Sequence, residues 1–172
     1  MTDPYDRSRL DELLASPDSA VRCEAARNPS IPSEVLVELA VSDDVEVLLG
    51  LADNPSVSAD VLLLLATAEC EEVRHAVAHN RATPTGMLGL LACDVDEYVR
   101  RGVAENRSAP LPLLRLLLTD PDDDVSSHAF STAVSTFCPN GAVPTDEDAY
   151  DAAVERLVMW LIATDHRQSI DA

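Results

Sequence analysis

Val73-Arg74-His75-Ala76-Val77-Ala78-His79-Asn80 and Val99-Arg100-Arg101-Gly102-Val103-Ala104-Glu105-Asn106 are one pattern written twice, 26 residues apart. Each opens on valine, repeats an apolar residue four positions on and closes on asparagine seven positions on, the spacing of one face of a helix. Outward from this pair the same step recurs along the chain. Val21, Val47, Val73, Val99 and Val125 form one column, Ala26, Ala52, Ala78 and Ala104 a second, and Asn28, Asn54, Asn80 and Asn106 a third. Leu10, Leu36, Leu62, Leu88 and Leu114 make a fourth, and Leu13, Leu39, Leu65, Leu91 and Leu117 a fifth. Pro32, Pro84 and Pro110 make a sixth, with Ser58 standing in once. So many columns in register without an insertion predict tandem units.

Each unit reads as two short helices. The first carries leucine at i and i+3 and is entered through the proline column, which a first helical turn tolerates because its missing N–H has no partner there. Thr83 before Pro84 reads as an N-cap. An acidic turn follows, and the second helix runs from the valine to the asparagine, where asparagine and proline stop it. A helix of roughly 8–12 residues is unstable alone in water, so each apolar stripe has to be buried against the next unit, which predicts a solenoid. The small column Gly50, Ala76, Gly102 fits close helix approach. The expected architecture is all-α, a right-handed α-solenoid of five 26-residue two-helix repeats over 10–35, 36–61, 62–87, 88–113 and 114–137. Residues 1–9 read as a polar lead. Past Val125 the pattern decays, with His128, Phe130 and Thr132 breaking their columns. Residues 138–172 read as a loop, a C-terminal capping helix from Asp146 to about Ala163 that includes Trp160, and a tail.

The unit Val-Arg-x-x-Val-Ala-x-Asn, followed by Pro, Leu-x-x-Leu and an acidic turn, resembles the leucine-rich repeat variant family over roughly residues 10–137. That resemblance implies an all-helical, HEAT-like superhelix whose second helix can be partly 3₁₀. The family has no single activity. One member binds a four-iron, four-sulfur cluster through an N-terminal cysteine cluster, and residues 1–22 here contain no cysteine, so the resemblance brings no cofactor.

The 172 residues are 47% hydrophobic and 25% charged, values of a soluble globular chain. The net charge is −19, and all 12 basic residues are arginine. The longest apolar run, 61–66, is too short to span a bilayer, and the first residues lack the basic start and apolar stretch of a secretory signal. The expectation is a cytoplasmic protein with no membrane association. Cys23, Cys70, Cys93 and Cys138 lack the close spacing of a zinc or iron–sulfur motif.

With the valine column facing the core, the residues two and six positions on face solvent, at about 100° per residue. These columns vary while the core columns repeat, which marks a candidate binding surface of Arg27, Leu49, Asp53, His75, His79, Arg101 and Glu105, joined by Leu48, Arg74 and Arg100 from the column that directly follows the valine. In that following column Arg22, Arg74 and Arg100 suit phosphate or carboxylate, but the recurrence of the row with the unit favours a packing role, each arginine laying its head on an acidic turn. Leu48 and Leu49 suggest an apolar hot spot or self-association patch. His75 and His79 share a face at the spacing of a zinc pair, but Ala76 stands where a zinc-protease motif has glutamate, and no metal site is assigned. A second candidate is the acidic edge of Asp43, Asp44, Glu71, Glu72, Asp94, Asp96, Asp122, Asp123 and Asp124. No nucleophile constellation or phosphate loop is present. The reading is a non-enzymatic scaffold for protein or peptide, with no cofactor. The alternative is an acidic inhibitor or nucleic-acid mimic facing a basic protein. The negative charge argues against nucleic-acid binding, and so against the HEAT-like DNA-repair glycosylases that the fold alone brings to mind. The oligomeric state is left open.

Overall fold

The computed structural model describes residues 6–137. Residues 1–5 of the expected lead 1–9 and everything from 138 onward, including the expected capping helix with Trp160, lie outside the described residues. The fold is all-helical. Among the described residues the order is α1 (Arg7–Leu14), α2 (Ser19–Ala26), α3 (Ser33–Leu39), α4 (Val45–Ala52), α5 (Ala59–Leu65), α6 (Glu71–His79), α7 (Thr85–Leu91), α8 (Glu97–Glu105), α9 (Leu111–Leu117) and α10 (Asp123–Phe137), with no strand.

The even helices pack in sequence, α2 on α4, α4 on α6, α6 on α8 and α8 on α10, and each odd helix lies against its even neighbours. The repeated valines and leucines form one continuous core, with Val73, Val99, Val125, Leu62, Leu88 and Leu114 fully buried. The small column sets the spacing of the even helices. A Cβ on Gly50 would stand 2.2 Å from the Cys23 carbonyl oxygen and 2.7 Å from the Ala26 Cβ, so α4 lies almost backbone-to-backbone on α2.

The asparagines join units. The Asn106 amide donates to the carbonyls of Ala78 (2.7 Å) and Asn80 (3.0 Å), across the interface with α6. Asn54 does the same to Ala26 and Asn28, and Asn80 donates to Ala52. The other end of each side chain accepts the backbone N–H two residues on. Helix-terminal carbonyls that have no intrahelical donor are thus capped from the following unit. Asn28, in the first unit, keeps only its local bond to Ser30 N–H among the described residues.

Several local expectations change. The proline column occupies the N-cap position itself, ahead of the first helical turn. Thr83 is not a cap: it is buried, and its hydroxyl donates to the Val77 carbonyl at 2.6 Å. Ser58, the stand-in for proline, caps α5 by accepting from Val61 N–H. Residues 7–9, read as part of the lead, form the first turn of α1, capped by Asp6. The second helices α2, α4, α6 and α8 are α-helical throughout. The last, α10, runs 15 residues because Thr132 replaces the asparagine stop and the next proline is Pro139.

Candidate functional site

The even helices present their variable residues along one face, and the structure joins these residues into a ladder. The His75 ring stacks on Tyr98 of the next unit, centroids 3.8 Å apart and planes 11° from parallel, and on His79 of its own helix at 6.2 Å. The Arg101 guanidinium lies 4.8 Å from the Tyr98 ring centre, a cation–π distance. Glu105 then pairs with Arg101 at 3.6 Å and with His128 of α10 at 3.2 Å. At the other end Arg27 pairs with Asp53, linking α2 to α4. Arg27, Asp53, His75, His79, Arg101 and Glu105 therefore belong to one surface.

The +2 column is less open than helical geometry alone predicts. Leu49, His75 and Arg101 are only partly exposed, because the close approach through the small column lets the adjoining helix cover them. Among the described residues, His75 Nε2 and Arg101 Nε are buried without a hydrogen-bond partner, Glu105 standing too far from the latter for more than an ion pair. Burial pushes the His75 imidazole below its ordinary pKa, a shift that Glu105 opposes and that His79 and Arg101 reinforce. Among the described residues, no three of His, Cys, Asp and Glu converge in a metal-binding cluster.

Arg74 and Arg100 leave this surface. Arg100 makes a two-pronged pair with Asp120 (2.8 and 2.9 Å) and donates to the Asp94 carbonyl at 3.0 Å. Arg74 pairs with Asp94 (2.9 and 3.1 Å) and donates to the Ala68 and Glu69 carbonyls. Arg22 clamps Asp44 and the Ser16 carbonyl in the same manner. These guanidinium groups lock each acidic turn to the next. Between the second and third units the pair is replaced as a whole: Leu48 stands in the arginine column and Ala68 in the aspartate position, and both pack on the core. Leu48 is therefore a clamp position filled with carbon rather than an exposed hot spot.

The same clamps thin the acidic edge. Asp44 and Asp94 are ion-paired, and Asp96 and Asp122 accept helix N-terminal N–H groups. Glu72 accepts from the Cys70 thiol. Asp43, Glu71, Asp123 and Asp124 remain exposed.

The clamps also set the acid limb of stability. The Arg100 hydrogen bonds hold the Asp120 carboxyl below its ordinary pKa. At Asp94 burial pushes upward, but the bonds from Arg74 and from Asp96 N–H outweigh it and the net shift is downward. A lowered folded-state pKa stabilises the fold above the ordinary aspartate range and is lost as pH falls through the folded value. Urea midpoints should therefore hold between about pH 7 and pH 5 and drop steeply below about pH 4. An Asp94→Asn/Asp120→Asn variant should show a flatter acid limb from a lower plateau.

Sequence reasoning missed Tyr98 and His128 as members of this surface. Tyr98 was detectable as the one aromatic residue in a column otherwise filled by Ala20, Glu46, Glu72 and Asp124. His128 stands in the small column, and its size directs it outward from the last interface. No family model matches the chain, and no curated protein or solved structure is significantly similar to it.

Proposed function

We propose that this chain is a non-enzymatic scaffold, a right-handed α-solenoid of five 26-residue units of the leucine-rich-variant type, that binds a protein or peptide along the face of its second helices. One observation carries the reading. The residues that hold the even helices together repeat from unit to unit, whereas those they display differ and form a continuous ladder from His79 through Tyr98 to His128. Extended faces of this kind are how stacked repeats bind partners, and a central Tyr–Arg pair is the chemistry of interface hot spots. The proposed setting is the cytoplasm. Three cysteines among the described residues are unpaired, and no helix there is long and apolar enough to cross a membrane. An acidic mimic is the second reading, carried by the net charge of −19 and the exposed acids of the turns.

Affinity capture from the native cytoplasm, run at low and high salt with variants, tests both. A partner lost with Tyr98→Ala/Arg101→Ala and kept with Asp123→Asn/Asp124→Asn supports the scaffold. A partner lost in high salt and with the aspartate variant, but kept with the ladder variant, supports the mimic. A partner indifferent to both variants overturns both.

A further inference from the structure

The first unit presents the side of the stack on which each later unit holds its predecessor. The structure shows three times what that side carries. Asn54, Asn80 and Asn106 each donate to a carbonyl at the end of the preceding even helix, Ala26, Ala52 and Ala78 in turn. On α2 the same column is open. Asn28 is exposed, its amide donates to none of the described residues, and Val21 is only partly buried where Val47, Val73, Val99 and Val125 are buried. A cavity of about 770 Å³ stands beside these two residues. Leu10, Leu13, Val21 and Ile31 give it an apolar wall, and Glu24, Arg27 and Asn28 line it as well.

Two of these residues limit what fits. Glu24 stands in the small column, where Gly50, Ala76 and Gly102 admit a whole helix, so no helix can lie backbone-to-backbone along α2. The end of a helix can still reach Asn28. Arg27 stands in a column that alternates between basic and acidic residues, Arg27, Asp53, His79 and Glu105, and pairs with Asp53 across the step from α2 to α4. An acidic residue continues that alternation on the open side. Another copy of the chain offers no such helix end. Its α2, α4 and α6 are already held by asparagine, and α10 runs on past Thr132, where the asparagine would stand.

We propose that this cavity is a docking site for the C-terminal turn of a helix from a partner protein. The Asn28 amide donates to the last carbonyls of that helix, an apolar side chain of the turn packs on Leu13 and Val21, and an acidic residue of the turn pairs with Arg27. Carbonyls at a helix end lack an intrahelical donor, and Asn28 supplies one, as its counterparts do within the chain. The site lies at the α2 end of the stack. It shares only Arg27 and Asp53 with the surface described above and does not depend on the ladder from His79 to His128.

The probe is a synthetic peptide of residues 44–56, the α4 segment whose Ala52 carbonyl Asn80 holds within the chain. It is acetylated, amidated and locked helical by a side-chain bridge, because a helix this short is marginal alone. Its Asp53 supplies the acid for Arg27. Fluorescence anisotropy of the labelled peptide, with the full chain added to millimolar concentration and salt present to screen the net repulsion, should show saturable binding. Asn28→Ala should weaken it about five- to tenfold, the effect of the lost hydrogen bonds. Arg27→Glu should weaken it at least as much, and a peptide carrying Asp53→Arg should restore binding to that variant. Tyr98→Ala/Arg101→Ala should leave the affinity unchanged, and circular dichroism should show all variants folded. Absence of saturable binding overturns the proposal, as would follow if residues 1–5 or 138–172 filled the cavity. Binding indifferent to Asn28→Ala, or a charge swap that recovers nothing, overturns it equally.

Discussion

Asn106→Asp lowers the unfolding free energy by about 3–5 kcal/mol at neutral pH, the cost of an uncompensated buried charge. The substitution keeps the shape and keeps the acceptor for Ser108 N–H. It replaces the donor to the Ala78 and Asn80 carbonyls with an oxygen, so a buried carboxylate faces two carbonyl oxygens with no donor between them. Both burial and these neighbours favour the protonated form, and the folded-state pKa of the new carboxyl is raised. Its sign is therefore opposite to that of the clamp aspartates: the variant regains stability as pH falls from 7.5 to 5, where the wild type is flat, because the protonated acid can donate again. Urea unfolding at those two pH values reads the difference. Asn28→Asp is the internal control. Asn28 occupies the same column, but its amide donates to none of the described residues, so its change should stay within about 0.5 kcal/mol. Equal losses at both positions would sink the claim that the column works across units.

Gly50→Ala destabilises by roughly 1–3 kcal/mol, although alanine is the better helix former by about 1 kcal/mol. The new methyl would stand 2.2 Å from the Cys23 carbonyl oxygen, and a backbone atom cannot swing aside as a side-chain tip can. α2 and α4 must move apart, loosening the contacts of Ala26 and Val47 in the core. Gly102→Ala meets Ala78 and His75 atoms at 3.0 Å, a tighter-than-usual contact that a small shift of the His75 ring relieves in part, so its loss is smaller. Gly86→Ala meets nothing and gains about 0.5–1 kcal/mol from propensity alone. Thermal or urea unfolding should rank the three as Gly86→Ala, Gly102→Ala, Gly50→Ala from most to least stable. A stabilised Gly50→Ala would mean that the even helices are not in near-backbone contact.

The periodic part of this protein was legible from its residues alone. A column recurring every 26 residues occupies equivalent environments inside the stack and departs from them in the first unit, where Asn28 is exposed. Helical spacing within each unit then gave the two-helix pattern, the buried valines and leucines, and the asparagine that ends the second helix. The reading of Arg74 and Arg100 weighed surface contact against the acidic turn and favoured the turn, and the geometry decided for the turn. At Leu48 the signal lay in two units at once: the arginine of the second and the aspartate that would face it from the third, where Ala68 stands, are both missing, and only the pair of absences explains the leucine.

What the sequence determined by itself is the all-helical character and the faces that must be buried, because both follow from local spacing and propensity. What only the tertiary structure decided is how much of the remaining surface stays open. The depth of approach between helices is set by three-dimensional packing at Gly50 and Gly102, and that depth half-buries His75 and Arg101. The same packing leaves Leu64, Leu90 and Leu116 in water, a fact about neighbours distant in sequence that no periodicity along the chain encodes.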